Sequence, residues 1–257
     1  MNRIIATLLS MFLIQLIVVN KAYSNEDEVK DCFEKLNRAT FALNMGLDKV
    51  IFKPISKGYR KLPSPIRNGT SNALSNLSNL ITIPNNILQG DFGSAANNSA
   101  RLIINTTIGI AGIFDPANSF GFEKREKEDF GQSLGVMGVG EGCYLVLPVL
   151  GPSTVRDTLG SLVAMNGGDV WHNITVRDDE EYVKEFKESD YWVSRVTSGV
   201  DFRAKNIEAF DAMEKNSVDL YATVRSLYLQ DRDKKIKNSR NKTEAMDDGD
   251  WDTLENQ

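Results

Sequence analysis

One histidine, His172, and two cysteines, Cys32 and Cys143, are all this 257-residue chain offers of the side chains that most often ligate zinc, iron or copper. Such sites need several of those ligands converging on one point, so neither a metal nor a metal-bound cofactor is expected. Positive charge is outweighed by negative, with a formal net charge of -5. That leaves a nucleic-acid partner no electrostatic footprint. A long apolar run is missing too. Ile4 to Val19 is interrupted only by Thr7, Ser10 and Gln15, and its 16 residues fall short of the roughly 20 that span a bilayer.

That run instead reads as an export signal. Met1-Asn2-Arg3 supplies the positive start, and Ala22-Tyr23-Ser24 puts small residues at the positions a signal peptidase requires. Cleavage between Ser24 and Asn25 is expected, making 1–24 a removed leader. No cysteine follows the run closely, so no lipobox for acylation is evident. Export places Cys32 and Cys143 where disulfides form. Their spacing alone leaves pairing open, because a bond depends on a Cα separation that sequence does not supply.

The most informative absence lies inside the chain. From Asn68 to Phe114 the only charges are Asp91 and Arg101, where the chain's own 25% would give about a dozen. The stretch is nevertheless polar, with nine asparagines among its 47 residues. Asn68, Asn72, Asn76 and Asn79 fall on one helical stripe, with Leu74, Leu77 and Ile81 roughly opposite. Pro84 is expected to kink or end that helix, and Gly90-Asp91-Phe92-Gly93 to turn the chain. The second arm carries Leu102, Ile103, Ile104, Ile108, Ile110, Ile113 and Phe114. As a helix, Leu102 to Phe114 would rise about 20 Å, enough for one leaflet and short of a crossing. Periodicity alone also allows a buried core hairpin. A chargeless polar face opposite an apolar one suits a protein that meets lipid on one side and a polar passage on the other.

Elsewhere, Asp31 to about Ile51 reads as a helix stopped by Pro54, followed by a basic connector, Lys53 to Arg67, of turns and extended backbone. Residues 129–157 hold so many glycines and prolines that a long irregular loop is expected, and long loops in compact domains are usually functional. Arg177 to Lys187 reads as a solvated charged helix face. Asp201 to Glu214 reads as a helix, and Ser217 as the cap of another from Val218 to about Arg232. The acidic stretch 238–257 reads as a disordered tail, leaving 25–237 as one domain. Asn-x-Ser/Thr sequons such as those at Asn76 and Asn105 lie within the apolar hairpin, where a glycan has no room; they are compositional.

Gly131-Gln132-Ser133-Leu134-Gly135 matches the nucleophile elbow of α/β hydrolases, a motif that needs a preceding buried strand. Phe122 to Phe130 is nearly all charged, and His172, the sole candidate base, follows only 39 residues after Ser133. No catalytic residue is assigned. An exported serine hydrolase using Ser133 stays as an alternative, as does a porin-binding structural adaptor.

Several ordered motifs carry a resemblance. Leu36-Asn37-Arg38, Phe41, Asn44 and Leu47-Asp48 open it, and Asn72, Asn76-Leu77, Pro84, Asn86 and Leu88-Gln89-Gly90-Asp91 continue it. Arg101, Ile104-Asn105, Ile108-Gly109, Gly112 and Asp115 follow. Glu128-Asp129-Phe130-Gly131-Gln132-Ser133-Leu134-Gly135 is the most specific stretch, then Gly138-Val139-Gly140, Gly142 and Tyr144-Leu145. Leu147-Pro148, Leu150-Gly151-Pro152-Ser153 and Arg156-Asp157 come next, and Ser217, Asp219, Tyr221, Arg225, Tyr228, Gln230 and Arg232 close it. Over about Phe33 to Ile236 the chain resembles the VacJ/MlaA family of outer-membrane lipoproteins. The resemblance implies an all-α ring or disc in the inner, periplasmic-facing leaflet of a Gram-negative outer membrane. Its central amphipathic channel would remove phospholipids from the outer leaflet and pass them to a periplasmic lipid-carrier protein, with an outer-membrane porin trimer as partner. No cofactor and no enzymatic step are implied. Joined to the residue patterns, it makes Asn72, Asn76, Asn79, Gly131, Gly135, Gly138, Gly140, Gly142 and Tyr144 candidates for the lipid pathway. Leu77, Ile81, Leu102, Ile103, Ile104, Ile108, Ile110, Ile113 and Phe114 become the membrane-embedded hairpin. Two departures stand out: the family's acylated cysteine is replaced by Ala22-Tyr23-Ser24, and Cys143 stands where proline is common.

Overall fold

The computed structural model describes residues 30–177 and 186–250. The leader 1–24 and most of the charged stretch 177–187 lie outside them. The chain is helical almost throughout, and among the described residues the only sheet is a two-stranded hairpin.

Helix α1 (Glu34–Leu47) does not stop at Pro54. It widens into a π-helical turn, Asp48–Phe52, and continues as α2 (Lys53–Tyr59). The wider turn pairs the Lys53 N–H with the Asp48 carbonyl and puts Pro54 in the first turn of α2. There a missing N–H costs little. The connector expected over 53–67 therefore shrinks to residues 60–63, where Pro63 turns extended (φ -53°, ψ 144°).

Helices α3 (Ser64–Leu88) and α4 (Phe92–Thr107) form an antiparallel hairpin. Pro84 sits inside α3 without ending it. Nearby, Thr82 Oγ1 donates to the Ser78 carbonyl and Asn85 Nδ2 to the Ile81 carbonyl, at 3.0 and 2.7 Å. Gly90 takes φ 78° at the turn, and Asp91 caps α4 by accepting from Ser94 N–H. The second arm is shorter than expected. It ends at Thr107, and residues 108–114 fold back through Ile110, Ala111 and Gly112, all at positive φ (53°, 54° and 86°). The reversal is held by Gly112 N–H on the Asn105 carbonyl at 2.7 Å. A Cβ on Gly112 would stand 2.6 Å from Asn76 Cβ, so the close approach needs glycine there.

The stretch 129–157, expected as irregular loop, is largely ordered. After the short α5 (Pro116–Ser119), Asp129 caps α6 (Phe130–Val136) by accepting from Gln132 N–H. Strands β1 (Tyr144–Leu147) and β2 (Gly151–Thr154) then pair antiparallel. Asn37 on α1 satisfies the open edge of β1, donating to Tyr144 O and accepting from Val146 N–H, each at 2.9 Å. Asn44 does the same for the hairpin turn, through Leu147 O and Val149 N–H. An unpaired strand edge is thus closed by helix side chains. The Cys32–Cys143 disulfide ties the same corner.

Thr154 caps α7 (Val155–Val163), which packs on α6. A Cβ on Gly160 would meet Gly131 N at 2.3 Å, so the crossing is made backbone to backbone. After a turn at 164–168 comes the short α8 (Val170–His172), capped by Asp169, then α9 (Glu188–Lys205) and α10 (Ile207–Asn216). The helix expected over 201–214 is broken at Asn206, whose side-chain amide takes the Phe202 carbonyl at 2.8 Å. Helix α11 (Leu220–Asp250) is capped by Asp219 rather than Ser217. It runs through much of the stretch expected as disordered tail. Ser239 is buried, and Arg240 donates to the Gly135 carbonyl at 3.1 Å. Residues 251–257 lie outside the described region.

The apolar core is small: Tyr144, Val146 and Tyr221, with Phe41, Tyr228 and Leu229 against them. Among the described residues, buried polar and charged side chains outnumber buried apolar ones, while isoleucines, valines and phenylalanines crowd the exterior. Ordinary globular proteins put their large apolar side chains inside. Here the usual arrangement is inverted.

Candidate functional site

The inversion is sharpest in the α3–α4 hairpin. Asn76, Asn85 and Asn86 on α3 and Asn98, Arg101 and Asn105 on α4 are all buried. Several bond across the pair: Asn76 Nδ2 to Thr106 Oγ1 and Asn98 Nδ2 to Asn86 Oδ1, both at 2.9 Å. Outside, Ile103, Ile110 and Phe114 are 64%, 61% and 59% exposed, joined by Ile108 and Ile113. Leu77, Ile81, Leu102 and Ile104 are half-buried along the arms. No described helix is long and apolar enough to cross a membrane.

Between the arms and the segment 123–127 lies a polar recess. Asn72, Ser75, Asn76 and Asn79 form its α3 wall and Asn98, Arg101 and Asn105 its α4 wall. Asp115, Lys124, Arg125 and Lys127 close it. Its volume of about 20 Å³ is room for little more than one water. The floor is an ion network. Arg101, 4% exposed, holds Asp115 through a two-pronged contact at 2.8 and 2.9 Å and also donates to the Phe122 carbonyl. Asn105 Nδ2 donates to Asp115 at 2.9 Å, and Lys124 stands 3.3 Å away. Burial would push the Asp115 carboxyl up, but the Asn105 and Arg101 hydrogen bonds outweigh it and hold the carboxyl below its ordinary value. Burial, followed by repulsion from Lys205, lowers the Lys127 ammonium.

The sequence reading grouped these asparagines with five glycines and Tyr144; the structure brings together only Asn72, Asn76 and Asn79. Gly131 lies where a Cβ would strike Asp157 Oδ1 at 2.5 Å and Arg232 Nη2 at 2.8 Å, and Gly135 faces Ile236. Gly138 and Gly140 have open space around them, while Gly142 backs onto Val155. Tyr144 is a core residue, its ring edge-on to Tyr221 and Tyr228. Sequence reasoning missed Asp115, Lys124, Arg125 and Lys127 as site residues. Arg101 carried a signal, being one of two charges in a 47-residue stretch.

Ser133 is buried in hydrogen bonds. Its hydroxyl donates to Asn85 Oδ1 at 2.6 Å and accepts from Gln89 Nε2 at 3.0 Å. It sits within α6 rather than on a strand-to-helix turn. His172 stacks edge-on against Tyr191.

Known proteins with this architecture are consistent with one another. The family model described as MlaA lipoprotein matches residues 29–235. An uncharacterized protein of Rickettsia prowazekii is 32% identical over 215 residues, covering 83% of this chain and 81% of its own length. The intermembrane phospholipid transport system lipoprotein MlaA of Escherichia coli is 31% identical over 224 residues, covering 84% and 83%. A solved chain, described as the structural basis for maintenance of bacterial outer membrane lipid asymmetry, superposes with a TM-score of 0.67 at 30% identity. That match covers 80% of this chain and 98% of the solved one. With a match over most of its length and relatives above 30% identity, the chain belongs to the MlaA lipoprotein family.

Proposed function

We propose that this protein moves phospholipids out of the outer leaflet of a Gram-negative outer membrane, seated in the periplasmic-facing leaflet, and breaks no bond in doing so. The single observation that carries this is the inverted hairpin, with asparagines and Arg101 buried and isoleucines and phenylalanine outside. Acyl chains solvate such an exterior, and a polar interior gives a headgroup somewhere to go. The α3–α4 hairpin is the membrane-embedded part, and the Asn72–Asn76–Asn79 face is the start of the lipid pathway. The recess now holds about a water's volume, so passage needs the 123–127 segment to move off the hairpin. On this reading a periplasmic carrier receives the lipid and a porin trimer holds the protein in the membrane.

Deleting the gene should expose phosphatidylethanolamine on the cell surface, read with a membrane-impermeant amine reagent, and the wild-type gene should restore the barrier. An unaltered outer leaflet in the deletion strain sinks the proposal. A Ser133→Ala protein should complement as well as wild type, at a cost of about 1–3 kcal/mol from the Asn85 Oδ1 that loses the Ser133 donor. Total loss of function with the fold intact would favour a Ser133 hydrolase instead. A protein that purifies with porin but without stoichiometric lipid would be an adaptor.

A further inference from the structure

Resting on the phospholipid reading of the same recess, we propose that, widened as the 123–127 segment shifts from the hairpin, it is a phosphate-recognition site. Arg125 and Lys127 take the phosphodiester of a glycerophospholipid, while Asn76 accepts from an N–H or O–H donor on the headgroup alcohol. The recess is lined by four cationic side chains and one carboxylate, Asp115. That carboxylate is already committed to Arg101, Asn105 and Lys124. Neither Arg125 nor Lys127 forms an ion pair with a described residue. Lys127 instead stands within electrostatic reach of Lys205, Lys124 and Arg195 as well as of Asp201. Lys205 in turn is held by Asp201 at 2.7 Å. In a chain of net charge -5, such a local surplus is stabilised by an anion. Guanidinium and ammonium groups are the donors that bind phosphate oxygens most strongly.

The second observation is Asn76. It is 6% exposed and lines the recess. Its amide nitrogen is used on Thr106, yet its Oδ1 is buried without a donor. A buried acceptor left unmade is costly, and a headgroup ammonium or hydroxyl supplies the missing donor beside the phosphate. Ethanolamine and glycerol headgroups carry one; choline does not.

The test uses the full mature protein in detergent micelles, as wild type and as the Arg125→Gln/Lys127→Gln double variant, which removes two charges that form no ion pair with a described residue. Lipid uptake is measured from vesicles carrying phosphatidylethanolamine, phosphatidylcholine or diacylglycerol, alongside titration with inorganic phosphate. The wild type should take phosphatidylethanolamine over diacylglycerol, and over phosphatidylcholine, by on the order of tenfold, the factor that 1.4 kcal/mol represents. The double variant should lose uptake by at least a similar factor while floating with vesicles like wild type. Equal uptake by the variant, or equal uptake of choline and ethanolamine lipids, overturns the site and leaves the transport function standing. Inorganic phosphate that binds wild type but not the variant, with no phospholipid taken up by either, overturns the headgroup assignment in favour of a free anion. Wild-type protein that takes up neither phosphate nor any lipid overturns the transport reading as well.

Discussion

Reducing the Cys32–Cys143 bond should lower the unfolding free energy by about 4–5 kcal/mol. The two cysteines are 111 residues apart, with Cα atoms at 5.6 Å. A cross-link closing a loop of that length removes about that much through the entropy of the unfolded chain. In a chain of this size the loss corresponds to a melting shift of roughly 10–20 °C. The corner it ties is also where Asn37 holds β1, and where the Lys30 carbonyl accepts from Tyr144 N–H at 2.8 Å. Without the bond, the start of α1 should loosen before the helical hairpin does. Thermal unfolding in detergent, followed by circular dichroism with and without reductant, checks this. The Cys32→Ser/Cys143→Ser protein should melt where reduced wild type does and ignore the reductant. A wild-type melt unchanged by reduction would refute the role assigned to the bond.

Replacing Arg232 by methionine should cost about 3 kcal/mol, the low end of the range for stripping one partner from a buried ion pair, because Asp157 is buried while the Asp129 side chain is 43% exposed. Arg232 reaches from α11 to Asp129 at 2.6 and 2.9 Å and to Asp157 at 2.8 Å. Tyr228 donates to the far oxygen of Asp157 at 2.6 Å. One guanidinium therefore joins the cap of α6, the first turn of α7 and the middle of α11. Lysine should rescue only part of the loss, because it has no planar fork. Pairing the change with Asp157→Asn should recover some of it, since fewer uncompensated charges are left. Urea midpoints read these differences, and an Arg232→Met loss below about 1 kcal/mol would contradict the network's role. The same groups set the acid limit. Burial would raise Asp129, but Arg232 overrides it and holds the carboxyl at about 2. Because that value lies below the ordinary 3.9 or so of an unfolded aspartate, the contribution is fully present above about pH 4. It fades as pH falls toward 2.

The hairpin was legible because its signal was compositional. Forty-seven residues with two charges mark an unusual solvent whatever their order, and Asn68-to-Asn79 spacing marks a face. Its boundaries were less so. Proline rules predict a break at Pro54 and Pro84, yet a π-helical turn absorbs the first and α3 runs on through the second. The turn at Ile110 to Gly112 ran against periodicity because it is seated on Asn76 of the other arm, which only the fold brings against Gly112. The glycine-rich stretch misled in another way: Gly131 and Gly160 are small so that two helices can touch, not so that a loop can flex. The recess's cations were hidden because Phe122 to Phe130 reads as a charged connector, and only the fold lays it over the asparagines.

The scarcity of buried apolar side chains carries over to temperature. The heat-capacity increase on unfolding comes from wetting apolar surface, and newly hydrated polar groups subtract from it. A protein whose interior is asparagine, serine and ion pairs, and whose oily side chains face outward in either state, has little of the first term and much of the second. Its stability curve should therefore be broad and shallow, falling gently on cooling as well as on warming, which calorimetry reads as a small heat-capacity step.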